Sequence, residues 1–451
     1  MLDQSQIIEY YRNLIMGFVD SYQNNQQPIR VNFRELVPQI TKSDRYSHLI
    51  HPYPAKLLSH IPYLFLQTDY FCPDNGVVLD PFCGTGTVLL ESMVANKNAY
   101  GVDSNPLARL ISKAKTTYID PRILNKDLND ILEQARKVSK VPMPPVNNID
   151  IWFHPRIAKE LSKIVFVINQ LNDAIRRDFF LVCFSNLVKK VSFADPRISV
   201  PVRLNPDRFI NDPVQYKKVQ EKINSLSTVD VFAKFDQICK DNILRISSLK
   251  DITGKAYIIS DDARNITTTL YDSEQLEDQS VDLILTSPPY AGAQKYIRSS
   301  SLSLMWLSLT KPEDLRKLDA QNIGRENYKK IEIVSPYTGI AEADLILTDL
   351  YLSGKKERAH IVANYINQMK LSIDESYRVL KTGGYYIMII GNNTVCGKEF
   401  NTQHYLTQYM ESIGFSVVFK LIDDIKSYGL MTKRNKTAST ISCEWVVVLK
   451  K

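Results

Sequence analysis

The chain has 451 residues, 44% hydrophobic and 23% charged, which excludes a disordered polypeptide and leaves room for a catalytic domain plus a large insertion. Its 56 basic and 49 acidic residues give a net charge of +7, which suits a polyanionic partner without requiring one. No N-terminal stretch runs from basic to apolar to small residues, and apolar runs such as 179–184 are far too short for a bilayer, which points to a cytoplasmic protein without a membrane partner.

Residues 1–50 are polar, with a helical pattern over 7–22, and read as an N-terminal extension packed on the core. From residue 77 the pattern changes to short apolar runs, each followed by helical periodicity. Strands are predicted at 77–80 and 99–103, a turn and helix at 84–95, and a second helix at 106–115. This βαβα opening, within residues 51–117, predicts a doubly wound parallel sheet. The alternation then stops over 118–255, which is longer than an ordinary connection and reads as a mainly helical insertion. Helices are predicted there at 156–171, 178–190 and 214–225, with an extended Pro-rich basic loop at 195–203. Sheet character returns in 256–451, with strands at 256–260, 281–286 and 385–390, a long helix at 360–380, and a terminal hairpin from 415–422 and 443–449. A second, irregular insertion covers 291–358, and a basic turn covers 427–436. The cysteines Cys72, Cys83, Cys183, Cys239, Cys396 and Cys443 are scattered, with no CxxC pair or nearby His, so neither a metal site nor a disulfide framework is expected.

Two segments carry chemistry. Leu79-Asp-Pro-Phe-Cys-Gly-Thr-Gly-Thr87 lies at a strand-to-helix junction, where glycines permit a tight turn and the helix start offers unpaired N–H groups to a ligand. No Gly-Lys-Ser/Thr follows, so this is not a phosphate loop, and a dinucleotide fingerprint lacks its third glycine. Asp103 ends the next strand, where a carboxylate can accept both ribose hydroxyls of an adenosyl group; Ser104 and Asn105 are free to cap the following helix. The second segment is Asp282-Leu-Ile-Leu-Thr-Ser-Pro-Pro-Tyr290. Its two prolines remove two N–H donors and stiffen the chain, leaving the Pro288 carbonyl and Ser287 Oγ to accept from an amino group while Tyr290 stacks on a base.

Asp80–Thr87 together with Ser287-Pro-Pro-Tyr290 resembles the DNA amino-methyltransferases, whose hallmarks are an FxGxG-type cofactor loop and an (S/N/D)PP(Y/F/W) catalytic loop. His51-Pro-Tyr-Pro-Ala-Lys56 is similar to the segment those enzymes close over the methionine part of the cofactor. Ser260-Asp-Asp-Ala263 is similar to their acidic segment beside the adenine, and Val379-Leu-Lys-Thr-Gly-Gly384 to their late helix-turn-strand. The resemblance implies a class I S-adenosylmethionine-dependent methyltransferase fold, a Rossmann-like, seven-stranded, mostly parallel α/β sheet with a helical insertion. It implies a cofactor site formed by His51, Pro54, Lys56, Asp80, Pro81, Phe82, Cys83, Gly84, Thr85, Gly86, Thr87, Asp103, Ser104, Asp261, Asp262 and Thr286. Ser287, Pro288, Pro289 and Tyr290 would be catalytic, with direct transfer to the amino nitrogen of a flipped base and no metal.

Serine in the first motif position leans towards cytosine N4, with adenine N6 as the alternative. The expected partners are double-stranded DNA and a cognate restriction endonuclease in a bacterial or archaeal cytoplasm. A cytosine-C5 enzyme is excluded because no Pro-Cys dipeptide occurs. An RNA base-amino methyltransferase, a glutamine methyltransferase and an inactive nucleic-acid-binding subunit remain as rival readings. Target contacts are expected from either insertion: Lys189, Lys190, Arg197 and Arg203 in the first, and Lys295, Tyr296 and Arg298 in the second. Lys433-Arg434-Asn435-Lys436 is a third basic spot.

Overall fold

The strands that the apolar runs form are, in chain order, β1 (Ile29–Val31), β2 (Val77–Asp80), β3 (Asn98–Val102), β4 (Ala256–Ser260) and β5 (Val281–Thr286), followed by β6 (Leu380–Ile390), β7 (Asn393–Val395), β8 (Lys398–Phe400), β9 (Ser416–Asp424) and β10 (Cys443–Lys450). The computed structural model describes residues 4–41, 45–54, 56–271, 273–292, 295–424 and 442–451. The basic turn at 427–436, with Lys433, Arg434, Asn435 and Lys436, lies outside them.

Eight strands form one sheet in the order β1-β9-β10-β6-β5-β2-β3-β4, and β7 and β8 form a separate antiparallel pair. β10 runs antiparallel to both its neighbours; the other pairings within the sheet are parallel. Consecutive residues of the central strands are buried because both faces are covered, and alternate side chains feed two different cores. Val78, Leu283, Leu285, Ile387 and Ile389 pack on one face with the helix Gln4–Asn25 and the segment around the helix His60–Leu66. Leu79, Ile284, Tyr386, Met388 and Ile390 pack on the other with the helix Lys356–Val379.

The expected α/β class and mainly parallel sheet are present, with one more strand than the seven anticipated. The extra strand is β1, from the N-terminal stretch: Ile29, Arg30 and Val31 pair in parallel with Leu421, Ile422 and Asp423 at the edge of the sheet. Three residues carry too little alternation to announce a strand, so only the neighbouring edge defines it.

The first insertion is helical, as its periodicity indicates, and contains more helices than periodicity alone separates. Pro155–Ile168, Ala174–Lys190 and Pro213–Thr228 match the predicted three, and Pro121–Lys137 and Val231–Ser247 join them. Their core is continuous with Leu107 and Ile111 of the helix Pro106–Lys115 and with Trp306. The second insertion is not irregular throughout: it carries helices Tyr296–Trp306, Leu315–Gln321 and Ala341–Leu352. The expected terminal pairing forms as β9 against β10.

Candidate active site

At the carboxyl ends of β2, β3, β4 and β5 the strand order reverses, since β3 and β4 lie on one side of β2 and β5 and β6 on the other. An open α/β sheet binds ligands at such a switch point. A cleft of about 940 Å³ opens there. Its floor is the turn after β2, with Asp80, Pro81, Phe82, Cys83, Gly84 and Thr85; Thr87 and Val88 belong to the helix that follows. Gly84 (φ +50°) and Gly86 (φ +71°) take the left-handed backbone that turns strand into helix. Gly84 lines the cleft, while Gly86 stands outside its lining: a Cβ there would sit 2.2 Å from Ser112 Oγ, so Gly86 serves helix packing.

Asp103 is held by its own backbone surroundings. Its Oδ2 accepts from the Gly84 N–H at 2.9 Å and its Oδ1 from the Asn105 N–H at 2.7 Å. Burial raises its carboxyl above the usual range despite these bonds. Asp80 accepts from the Phe82 N–H at 3.1 Å and from Thr286 Oγ1 at 2.6 Å, and burial pushes it up to about 7. The Thr286 bond joins the two sequence motifs: the last residue of β5 anchors the acid that ends β2. Ser287 and Pro289 line the same cleft. Ser287 Oγ has no hydrogen-bond partner among the described residues, so it is available to a ligand.

Of the two acids after β4, Asp262 is occupied by Arg264, whose Nε and Nη2 lie 2.7 and 2.8 Å from its carboxylate. Asp261 is exposed, with Arg109 3.9 Å away, and both line the cleft with Ala263.

Several expected residues stand elsewhere. His51 is buried, with Nε2 2.9 Å from Ser185 Oγ of the first insertion, and burial pulls its pKa down to about 3. It fastens the 45–54 segment to the insertion instead of lining the cleft. Pro54 is also absent from the lining, whereas Tyr53, Lys56 and Leu57 form it. Lys56 donates to the carbonyls of His48 and His51 at 2.9 and 2.8 Å, and burial lowers its pKa to about 8. Pro288 is buried and, like Tyr290, absent from the lining; the Tyr290 hydroxyl donates to Glu444 at 3.2 Å.

Of the residues expected on the target side, Tyr296 lines the cleft, Lys295 pairs with Glu326 at 3.4 Å, and Arg298 is exposed outside it. Arg197 is bound to Asp195 and stacked over Phe209, Arg203 lies over Phe193, and Lys189 donates to the carbonyls of Ile198 and Ser199. These contacts stabilise the 193–209 loop, away from the cleft.

Sequence reading missed Gln321, Asn322 and Ile323, which close the cleft from the second insertion. Ser104 Oγ donates to Asn322 Oδ1 at 2.6 Å, a contact across 218 positions of chain that no local pattern signals. Asn105 was legible as a helix cap, which it is, accepting from the Leu107 N–H; its amide also reaches Tyr53 Oη at 2.9 Å. Among the described residues no group of three or more His, Cys, Asp or Glu side chains is placed to hold a metal ion, and no helix is long and apolar enough to cross a membrane.

No protein-family model matches the chain. It is 24% identical over 436 residues to Type II methyltransferase M.MvaI of Kocuria varians, an alignment covering 91% of this chain and 92% of that protein. Type II methyltransferase M.AvaI of a Nostoc species is 22% identical over 377 residues, covering 75% and 73%. Type II methyltransferase M.MjaII of Methanocaldococcus jannaschii is 27% identical over 197 residues, or 44% of this chain and 32% of that one.

Proposed function

Since the chain belongs to the DNA methyltransferase family, we propose that it methylates an exocyclic amino nitrogen of a base in double-stranded DNA, with cytosine N4 as the target. Serine rather than Asp or Asn at position 287 supports cytosine N4 over adenine N6. Its role would be the modification half of a restriction–modification system, protecting sites that a companion endonuclease cuts. The observation that carries the reading is the Thr286–Asp80 hydrogen bond, which brings the Ser-Pro-Pro-Tyr segment and the glycine turn into one cleft.

The cleft fits S-adenosylmethionine. Asp103 has a carboxylate pre-oriented by two N–H groups for ribose hydroxyls, and Asp261 is open beside it. Asp80, Phe82, Gly84, Thr85 and Lys56 would hold the rest of the molecule. When bound, it supplies an electrophilic methyl group on a sulfonium.

The protein's own contribution is to the nucleophile. An exocyclic amine donates poorly because its lone pair is delocalised into the ring. Ser287 Oγ and the Pro288 carbonyl accept its two N–H bonds, favouring a more tetrahedral nitrogen whose lone pair points into the cleft. The stiff Pro288-Pro289 pair keeps these acceptors in place. Tyr296, which lines the cleft, and Tyr290, beside the Ser287-Pro288-Pro289 stretch in sequence, would receive the extruded base. Ser287 is too weak a base to take the proton, which passes to water.

The test is transfer of labelled methyl to unmethylated bacterial DNA, with product nucleosides resolved by mass. The expected product is N4-methylcytosine, and Ser287→Ala lowers the rate by about 100-fold or more. N6-methyladenine would retain the mechanism and replace the base; label in RNA or protein but not DNA would overturn the substrate.

A further inference from the structure

Residues 325–338 leave the mouth of the cleft as a segment whose backbone is tied down while its apolar side chains face solvent. The segment starts at Gly324, whose carbonyl accepts from the Gly292 N–H at 3.1 Å and where a Cβ would lie 2.9 Å from the Tyr290 carbonyl. Beyond it, Arg325 bonds Glu332 at 2.8 Å, Asn364 donates to Tyr328 Oη at 2.6 Å, and the Val334 N–H reaches His360 Nδ1 at 3.4 Å. Asn367 and Lys370 hold the carbonyls of Tyr337 and Thr338 at 2.8 and 2.9 Å. Despite this anchoring, Ile331 is 88% exposed, Val334 59% and Tyr337 74%. Single exposed apolar residues are ordinary, but three on one pinned segment beside a substrate cleft form a contact surface.

The charges beside it indicate what the surface meets. Arg325, Lys295 and Arg358 are matched by Glu332 and Glu326. Lys329 and Lys330, next to Ile331, are exposed, and neither ammonium is in an ion pair among the described residues. An apolar tip beside two exposed lysines suits a base step flanked by phosphates. A second copy of the chain packed on the same patch would double its like charge instead of neutralising it. Ile331 is seven residues beyond Gly324, so at most about 25 Å of chain separates it from the mouth, the length of about seven base pairs.

We propose that this segment docks on duplex DNA, with Lys329 and Lys330 on phosphates and Ile331 entering the base stack where the target base leaves it. The inference rests on the DNA-methyltransferase reading above. Extrusion unstacks the neighbours of the target, and an apolar side chain in the gap replaces part of the lost contact.

The test uses the full chain and its Ile331→Ala variant on two duplexes containing the modified site, located first by mapping methyl groups in bacterial DNA. In one the target base is paired, and in the other it faces a mismatch that already weakens its pairing. Single-turnover transfer by Ile331→Ala should fall about tenfold on the paired duplex and stay within about twofold on the mismatched one. Unchanged thermal melting shows that the variant folds. Equal losses on both duplexes, or none on either, overturn the wedge while DNA methylation stands. Loss of a dimer in light scattering with transfer unchanged would also overturn it and assign the patch to self-association. If the unaltered enzyme places no methyl group on bacterial DNA, the functional reading itself fails and the wedge with it.

Discussion

Residues 118–255 and 291–358 interrupt the same sheet and meet at the helix Tyr296–Trp306, yet they use their apolar residues in opposite ways. The first buries them. Phe179, Phe180 and Phe184 are fully enclosed, Phe184 packs against Trp306 at 6.0 Å between ring centres, and Arg176 is bound to Asp127 across two helices. Three of the basic residues expected to meet DNA, Arg197, Arg203 and Lys189, are held against its own 193–209 loop. The second closes the cleft with Asn322 and Ile323, then holds Ile331 and Tyr337 out in solvent. Length and charge therefore do not separate the two insertions; the burial of their apolar side chains does.

The largest effect that would sharpen this contrast lies in the first insertion. Phe184→Ala should cost about 3–5 kcal/mol in chemical denaturation, because it opens a cavity against Trp306 that the surrounding helices cannot fill. A loss below 1 kcal/mol would mean that the insertion core is looser than its burial indicates.

Next in size is the cleft itself. Asp80 has a folded-state pKa of about 7, above that of an unfolded aspartate, so the folded state holds a proton that the unfolded state has released. Its stabilising contribution is complete below about pH 4 and is lost as the pH rises through about 7, on the order of 2–4 kcal/mol. Melting of the cofactor-free protein across that window should show the decline, and Asp80→Asn should flatten it. An unchanged profile in the variant would assign the effect to another group.

In the second insertion the effects should appear in binding and not in folding. Lys329→Ala and Lys330→Ala should each reduce the slope of log affinity against log salt on DNA by about one. Arg203→Ala in the first insertion should leave that slope unchanged; the reverse result would exchange the roles of the two regions. The smallest effect is on stability: Ile331→Ala should shift unfolding free energy by less than about 0.5 kcal/mol, since its side chain is already in water.

The sequence by itself determined the parts governed by local physics. Apolar runs specified β2, β3, β4 and β5 to within a residue or two, most strictly at β2 and β5, where a strand covered on both faces must be nearly apolar throughout. The glycine turn and the Ser-Pro-Pro-Tyr segment were legible because backbone freedom at Gly84 and rigidity at Pro288-Pro289 are properties of the residues themselves. Tertiary structure alone decided the rest. β1 exists because the β9 edge offers it hydrogen bonds, and His51 turns to Ser185 because the insertion packs there. Asn322 reaches Ser104 because the second insertion folds back over the switch point. These contacts join residues more than a hundred positions apart, and the free energy that selects them comes from burial and pairing in the assembled fold, which leaves no periodicity or spacing in the chain.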